Sequence, residues 1–191
     1  MIDAAINHIG SQLNQFLKRN FDLNEDIVEI SNILEQDGNV VSNVSNKLVL
    51  FLVNIEKDVV SFRQQHGSTA GSDRTATSYP PLYLNLFVMV AGHFSGGNYP
   101  EALKFISNTI SFFQSHPVFD HQNSPDLDGK IEKLIMDIEN LNMQDLSNLW
   151  GVLGGKYLPS ILYKVRMVVF DSGDVRSLDS MIKVPETETA H

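Results

Sequence analysis

Apolar residues recur every three or four positions across the first twenty residues: Ile2, Ala5, Ile6, Ile9, Leu13, Phe16 and Leu17. That spacing places one stripe on a helix from about Ile2 to Arg19, and the stripe requires a surface to bury against. The pattern then shortens. Asp26–Leu34 (DIVEISNIL) is rich in β-branched residues and reads as a short strand, with a tight-turn signal at Asp37-Gly38 just beyond it, so a hairpin partner is expected. Lys47–Ile55 (KLVLFLVNI) is the predicted partner. Its apolar residues fall on both alternating faces, as in a strand covered on both sides.

The strongest pattern lies in Pro80–Phe119. Pro80-Pro81 cannot donate to a ladder, so strand pairing should begin at Leu82 and continue to Phe94. One face of this strand, Leu82, Leu84, Leu86, Val88 and Val90, is aliphatic and should meet helices. The other, Tyr83, Asn85, Phe87, Met89 and Ala91, is mixed and suits a second subunit. Gly96-Gly97 forms a hinge. Asn98 is a predicted N-cap, with Glu101 placed to reach back to the cap amide in a capping box. Ala102, Phe105, Ile106, Thr109, Ile110 and Phe113 form the helix's buried stripe. Phe112 falls beside that stripe and is predicted to lie exposed on an isolated subunit, as an interface residue. His116-Pro117 ends the helix.

Beyond a turn-rich stretch at 120–129, KIEKLIMDIENL alternates charged and apolar residues. A strand near a sheet edge is the favoured reading, although Ile131, Leu134, Ile135 and Ile138 also satisfy helical spacing. A short helix capped near Asn142 and stopped at Gly154-Gly155 follows. The last strand is Ser160–Phe170, with Ile161, Tyr163, Val165, Met167 and Val169 on one face and Lys164 and Arg166 on the other. The fold class is thus α/β (α+β): one domain over residues 1–170, with a mixed or mainly antiparallel sheet of about five strands packed by about three helices.

Two stretches carry almost nothing to bury. Gln64–Ser78 is too long and too polar for an ordinary connection, so it is either a solvated, mobile loop or an arm for a partner. The chain from Asp171 to His191 is polar as well and reads as an extended tail.

Composition narrows the functional classes. The 191 residues are 42% hydrophobic, enough for one sizeable core. Fourteen basic against 23 acidic residues give a net charge of -9 without any basic run, which disfavours nucleic acid as a partner. Cysteine is absent, so no disulfide or thiolate metal site forms. The N-terminal stretch lacks a basic n-region and a continuous apolar run, so it is expected to stay in the mature protein. The longest apolar run, Leu82–Ala91, falls short of the ~20 residues of a transmembrane helix, so no membrane partner is expected.

Tests for chemistry find little. His116, Asp120, His121, Asp126 and Asp128 are metal-binding residue types, but their spacing fits neither a zinc nor a calcium pattern. Phe94–Asn98 loosely resembles an anion nest, yet it lacks the phosphate-loop lysine, and Glu101 would repel an anion. No Gly-x-Ser-x-Gly elbow occurs. Trp150, Tyr157 and Tyr163 near Lys164 and Arg166 read better as core and cross-strand packing than as a stacking platform.

The blocks FSGGNYPEALKFISNTISFFQSHPVF and IEKLIMDIENLNMQDLSNLWGVLGGKYLPSILYKVRM closely resemble the cap or tail-terminator family of extracellular contractile injection systems. This family serves phage-tail-like particles such as the antifeeding prophage and Photorhabdus virulence cassettes. MIDAA, KLVLFLVNIE and PPLYLNLFVMV resemble the same family, so the likeness spans about residues 1 to 170. It implies a structural protein without catalytic activity or cofactor, forming a homo-hexameric ring. The ring would cap the baseplate-distal end of the inner tube and sheath and end their growth. It also implies assembly in the bacterial cytoplasm and later residence in an extracellular or cell-associated particle. Residues nominated for contacts between subunits are Arg63, Asp73 and Arg74 in and beside the polar loop, Tyr83, Asn85, Phe87 and Phe112, the pair Lys164 and Arg166, and Arg176, Met181 and Ile182 in the tail. Two alternatives stand beside this reading: a metal-dependent hydrolase using His116, His121 and Asp126, and a generic adaptor module docking through the 64–78 loop.

Overall fold

The computed structural model describes residues 1–35, 37–58, 82–154 and 156–169, and the backbone of two short strands at 74–76 and 178–180. In chain order the elements are α1 (Ile2–Phe21), β1 (Val28–Ile30), β2 (Lys47–Lys57), β3 (Arg74–Ala76), β4 (Leu82–His93), α2 (Tyr99–Ser115), β5 (Val118–Asp120), β6 (Ile131–Ile138), α3 (Met143–Val152), β7 (Ser160–Val169) and β8 (Leu178–Ser180). Six strands form one mixed sheet in the order β1-β2-β4-β7-β6-β5, and β3 pairs with β8 in a separate two-stranded ribbon.

The long central strands β2, β4, β7 and β6 run antiparallel. The first pairing differs from expectation: Val28–Ile30 runs parallel to Leu48–Leu50, so these segments are not a hairpin. The Asp37-Gly38 turn is real, with Gly38 at φ 83°, but it closes only a local bridge between Leu34 and Val40. Residues 31–46 then carry the chain back to the start of β1's line, which is the long return a parallel pair requires.

Two apolar layers hold the sheet. On one face α1 contributes Ala5, Ile6, Ile9, Leu13 and Leu17, and α2 contributes Phe105, Ile106, Phe112 and Phe113. They bury Leu48, Leu50, Leu86, Val88, Val90, Tyr163, Val165 and Met167. Gly92 lets α2 approach β4 closely, because a Cβ there would stand 3.1 Å from the Ala102 Cβ. Among the described residues the opposite face is covered at one end, where Trp150 of α3 packs with Val49, Phe51, Met89, Ala91 and Leu162.

Helix ends follow local chemistry in one case and depart from it in another. Asn142 caps α3, its Oδ1 accepting from the Asp145 amide at 2.9 Å. Asn98 precedes α2 but makes no cap bond; its Nδ2 donates instead to Asn46 Oδ1 at 3.3 Å, and Glu101 pairs with Lys104 at 3.7 Å. The expected capping box is therefore absent. The cause is the 3-10 turn at Gly96–Asn98, which leaves Asn98 at φ -89°, ψ 8° rather than in the extended geometry a cap requires.

Phe112 also departs from expectation. It is 5% exposed and belongs to the core. Helix α2 touches both β4 and α1, so its buried surface is wider than one stripe, and Phe112 fills the α1 side. Strand β5 was not legible in the sequence: Val118–Asp120 follows Pro117 and is held by pairing with Lys133–Ile135.

Candidate functional site: an open sheet face and its edges

The face opposite α1 and α2 is ordered in cross-strand rows. Nearest α3, Val49 stands beside Ala91 and Ser160, and Phe51 beside Met89 and Leu162. A register shift between Leu52 and Asn54 resets β2, and the following rows are different in kind. One reads Asn54, Phe87, Lys164, Asp137; the next reads Glu56, Asn85, Arg166, Ile135. No described helix covers these rows. The expectation of a mixed face on β4 therefore divides: Met89 and Ala91 are buried by this chain's own α3, while Tyr83 and Phe87 are half-buried.

The open rows carry balanced charge. Arg166 Nη2 donates to Asp137 Oδ2 at 2.7 Å, and Lys164 Nζ stands 6.0 Å from the Phe87 ring centroid. Sequence reasoning singled out both cations but not Asp137, because the register that brings it alongside them is not written locally. Asn85 is only 5% exposed, and its Oδ1 has no hydrogen-bond partner among the described residues. An unmade bond at a buried amide costs ~1–3 kcal/mol, so this position carries a local demand for a donor.

Other nominated residues fall elsewhere. Phe112 is inside the core and is not a surface residue. Arg63, Asp73, Arg176, Met181 and Ile182 lie outside the described residues. Of Arg74 the backbone alone is described, paired with Ser180. The polar loop and the tail are thus joined at one point: Thr75 pairs with Asp179 and Ala76 with Leu178.

Two carboxylates of the 116–128 cluster hold turns. Asp120 Oδ1 accepts from the Gln122 and Asn123 amides, and Asp128 Oδ1 from the Lys130 amide, both as turn-forming bonds. Among the described residues no three His, Asp or Glu side chains are grouped to hold a metal. Trp150 sits 5.8 Å edge-on to Tyr157, whereas Tyr163 packs in the main core against Phe113 at 4.9 Å. Burial pushes the Tyr163 hydroxyl's pKa up, so it stays protonated. No described helix is long and apolar enough to cross a membrane.

Among the described residues, then, this α/β domain presents a mixed-charge strand face with no helix over it. The chain belongs to the Pvc16 N-terminal domain family, whose model matches residues 4–183. Two solved structures share the fold. One is the PVC sheath/tube terminator in its extended state, from an extracellular contractile injection system: 16% identical, TM-score 0.58, covering 100% of this chain and 64% of that one. The other is the tube-terminating cap of the anti-feeding prophage: 17% identical, TM-score 0.56, covering 99% and 61% respectively. This chain therefore spans less than two thirds of the length of either relative. Both relatives are structural parts of injection particles rather than enzymes. No curated protein matches the chain.

Proposed function

We propose that this chain is a structural terminator of a contractile injection system, forming a homo-hexameric ring that caps the baseplate-distal end of tube and sheath. The observation that carries the reading is the family match across residues 4–183, in a domain whose fold recurs in two tube terminators. The rows on β4 and β7 that no described helix covers support it, since a ring subunit needs surfaces for its neighbours. A ring closes by head-to-tail repetition, so each copy presents two different surfaces to its neighbours. In this reading Tyr83, Asn85, Phe87, Lys164 and Arg166 belong to a contact between subunits, and the segments around Arg63, Asp73, Arg74, Arg176, Met181 and Ile182 reach tube, sheath or the adjoining copy. Subunits assemble in the bacterial cytoplasm and leave with the particle.

The test is particle length. A strain lacking this protein should yield particles of uncontrolled length or with bare distal ends in electron micrographs. Capped particles of normal length from that strain would refute the reading.

A further inference from the structure

The two edges of the six-stranded sheet are not equivalent. At the β5 edge, the outward-facing groups are already satisfied within the chain: Asn123 Nδ2 donates to the Val118 carbonyl at 2.9 Å, and Asn123 Oδ1 accepts from the Asp120 amide at 3.0 Å. One side-chain amide thus occupies the positions an added strand would use. Native sheets close their edges by such devices, and a closed edge is unavailable for pairing.

The β2 edge is different. Its outer neighbour, β1, ends at Ile30, while β2 continues to Lys57. The ladder fixes which groups point outward. The Leu48 amide donates to the Ile27 carbonyl, and the Leu50 carbonyl accepts from the Ser31 amide, so Leu48 and Leu50 face β1. After the register shift at Leu52 and Asn54 the phase is reset. The Asp58 amide donates to the Tyr83 carbonyl of β4, so Asp58, Glu56 and Asn54 face β4 and Ile55 faces outward. On the side away from β4, no described strand lies beside β2 from Leu52 to Glu56. The Ile55 side chain is 43% exposed there, and Ile30 at the end of β1 is 40% exposed. A groove of about 520 Å³ opens where β1 stops, lined by Asp3, Ile6 and Asn7 of α1 together with Ile30, Ser31 and Leu52. It extends the line of β1 and offers a socket for a side chain of an added strand.

The same fold holds a second incomplete element. Among the described residues β3 and β8 pair with each other, over three residues each, in a sheet separate from the six-stranded one. A two-stranded ribbon of that length is marginal by itself and gains from a third strand. We propose that the β2 edge, from Leu52 to Glu56, receives the β3–β8 ribbon of a second copy by strand addition, with main-chain hydrogen bonds supplying the contact. An edge on one copy and a ribbon on the next are two unlike surfaces, which is what head-to-tail closure requires. The inference rests on the ring reading and names the surfaces that close it.

The chain has no cysteine, which makes disulfide trapping unambiguous. A tagged Glu56→Cys subunit is mixed with an untagged Thr75→Cys subunit, allowed to assemble and then oxidised mildly. The expected result is a disulfide-linked pair containing both subunits, and at least a tenfold loss of that product when the tagged subunit also carries Ile55→Pro. This proline removes an amide that faces away from β4, so circular dichroism should show the fold retained. Closed rings in micrographs without the mixed cross-link would overturn the strand-addition proposal while leaving the ring intact. Absence of any oligomer would overturn both. If Ile55→Pro spares rings but prevents their attachment to tubes, the edge pairs with a tube or sheath segment, and the second copy is ruled out as its occupant.

Discussion

The Phe16 and Phe112 rings lie 4.8 Å apart at a 31° tilt, joining α1 to α2 through the interior rather than leaving Phe112 for a neighbouring subunit. Phe112 also approaches His116 at 5.0 Å and Phe113 at 5.0 Å. Truncating such a residue removes both its transfer energy and its packing, so Phe112→Ala should cost ~3–5 kcal/mol. Urea unfolding would show the loss as a lower midpoint with unchanged slope. Phe112→Asp should fail to fold. A folded Phe112→Asp monomer of near-native stability would place the ring outside the core.

The two asparagines before helices separate by their bonds. Asn142 holds the Asp145 amide, and Asn142→Ala should destabilise by ~1 kcal/mol, the usual value of an N-cap. Asn98 holds no helix amide, so Asn98→Ala should cost less, losing only its bond to Asn46. Paired thermal melts would rank them, and equal losses would contradict the geometry.

His8 is 8% exposed, and its ring stands edge-on to Phe119 at 5.5 Å. Burial holds its pKa below the ordinary value of 6.5, with Asp126 partly opposing. The unfolded chain takes up a proton more readily, so stability from neutral His8 is complete above about 6.5 and is lost as pH falls from there through the folded-state pKa. Urea midpoints should drop below pH 6.5 in the native chain, and the drop should be smaller in His8→Leu. An unchanged slope in that variant would assign the acid sensitivity to other groups.

Gly154 stops α3 at φ +105°, a region L side chains avoid, and a Cβ there would collide with the Leu34 side chain. Gly154→Ala should therefore destabilise by more than the ~1 kcal/mol of backbone strain alone. Leu34→Ala in the same chain should recover part of the loss, which a double-mutant cycle would measure.

Arg166 and Asp137 form a bond of 2.7 Å, but their side chains are 46% and 52% exposed. An exposed pair contributes less than ~1 kcal/mol, so Arg166→Ala should leave the monomer's unfolding midpoint nearly unchanged. Its expected effect is on assembly, read as a lower ring fraction in sedimentation. Native assembly would remove Arg166 from the proposed contact.

The sequence carried those features that depend on short range. The stripe Ala5, Ile9, Leu13, Leu17 predicts α1, alternation predicts β4 and β7, and Asn142 predicts the start of α3. Features set by tertiary placement were hidden. The parallel course of Val28–Ile30 depends on the return path of residues 31–46, and β5 is three residues that are strand only because Lys133–Ile135 pairs with them. Phe112 is lateral to a single stripe, whereas α2 packs against both β4 and α1. Of the mixed-charge strand face, Tyr83, Asn85, Phe87, Lys164 and Arg166 were legible from alternation. Their rows with Asn54, Glu56 and Asp137 were not, because the shift at Leu52 and Asn54 is a property of the pairing.

The central claim is that this chain closes into a ring. Electron microscopy of the purified full chain at increasing concentration measures that most directly. The account predicts closed rings with sixfold symmetry whose abundance falls for Arg166→Ala and Ile55→Pro. A species that remains monomeric in sedimentation at the highest attainable concentration, and that fails to decorate the ends of added tubes, would contradict it.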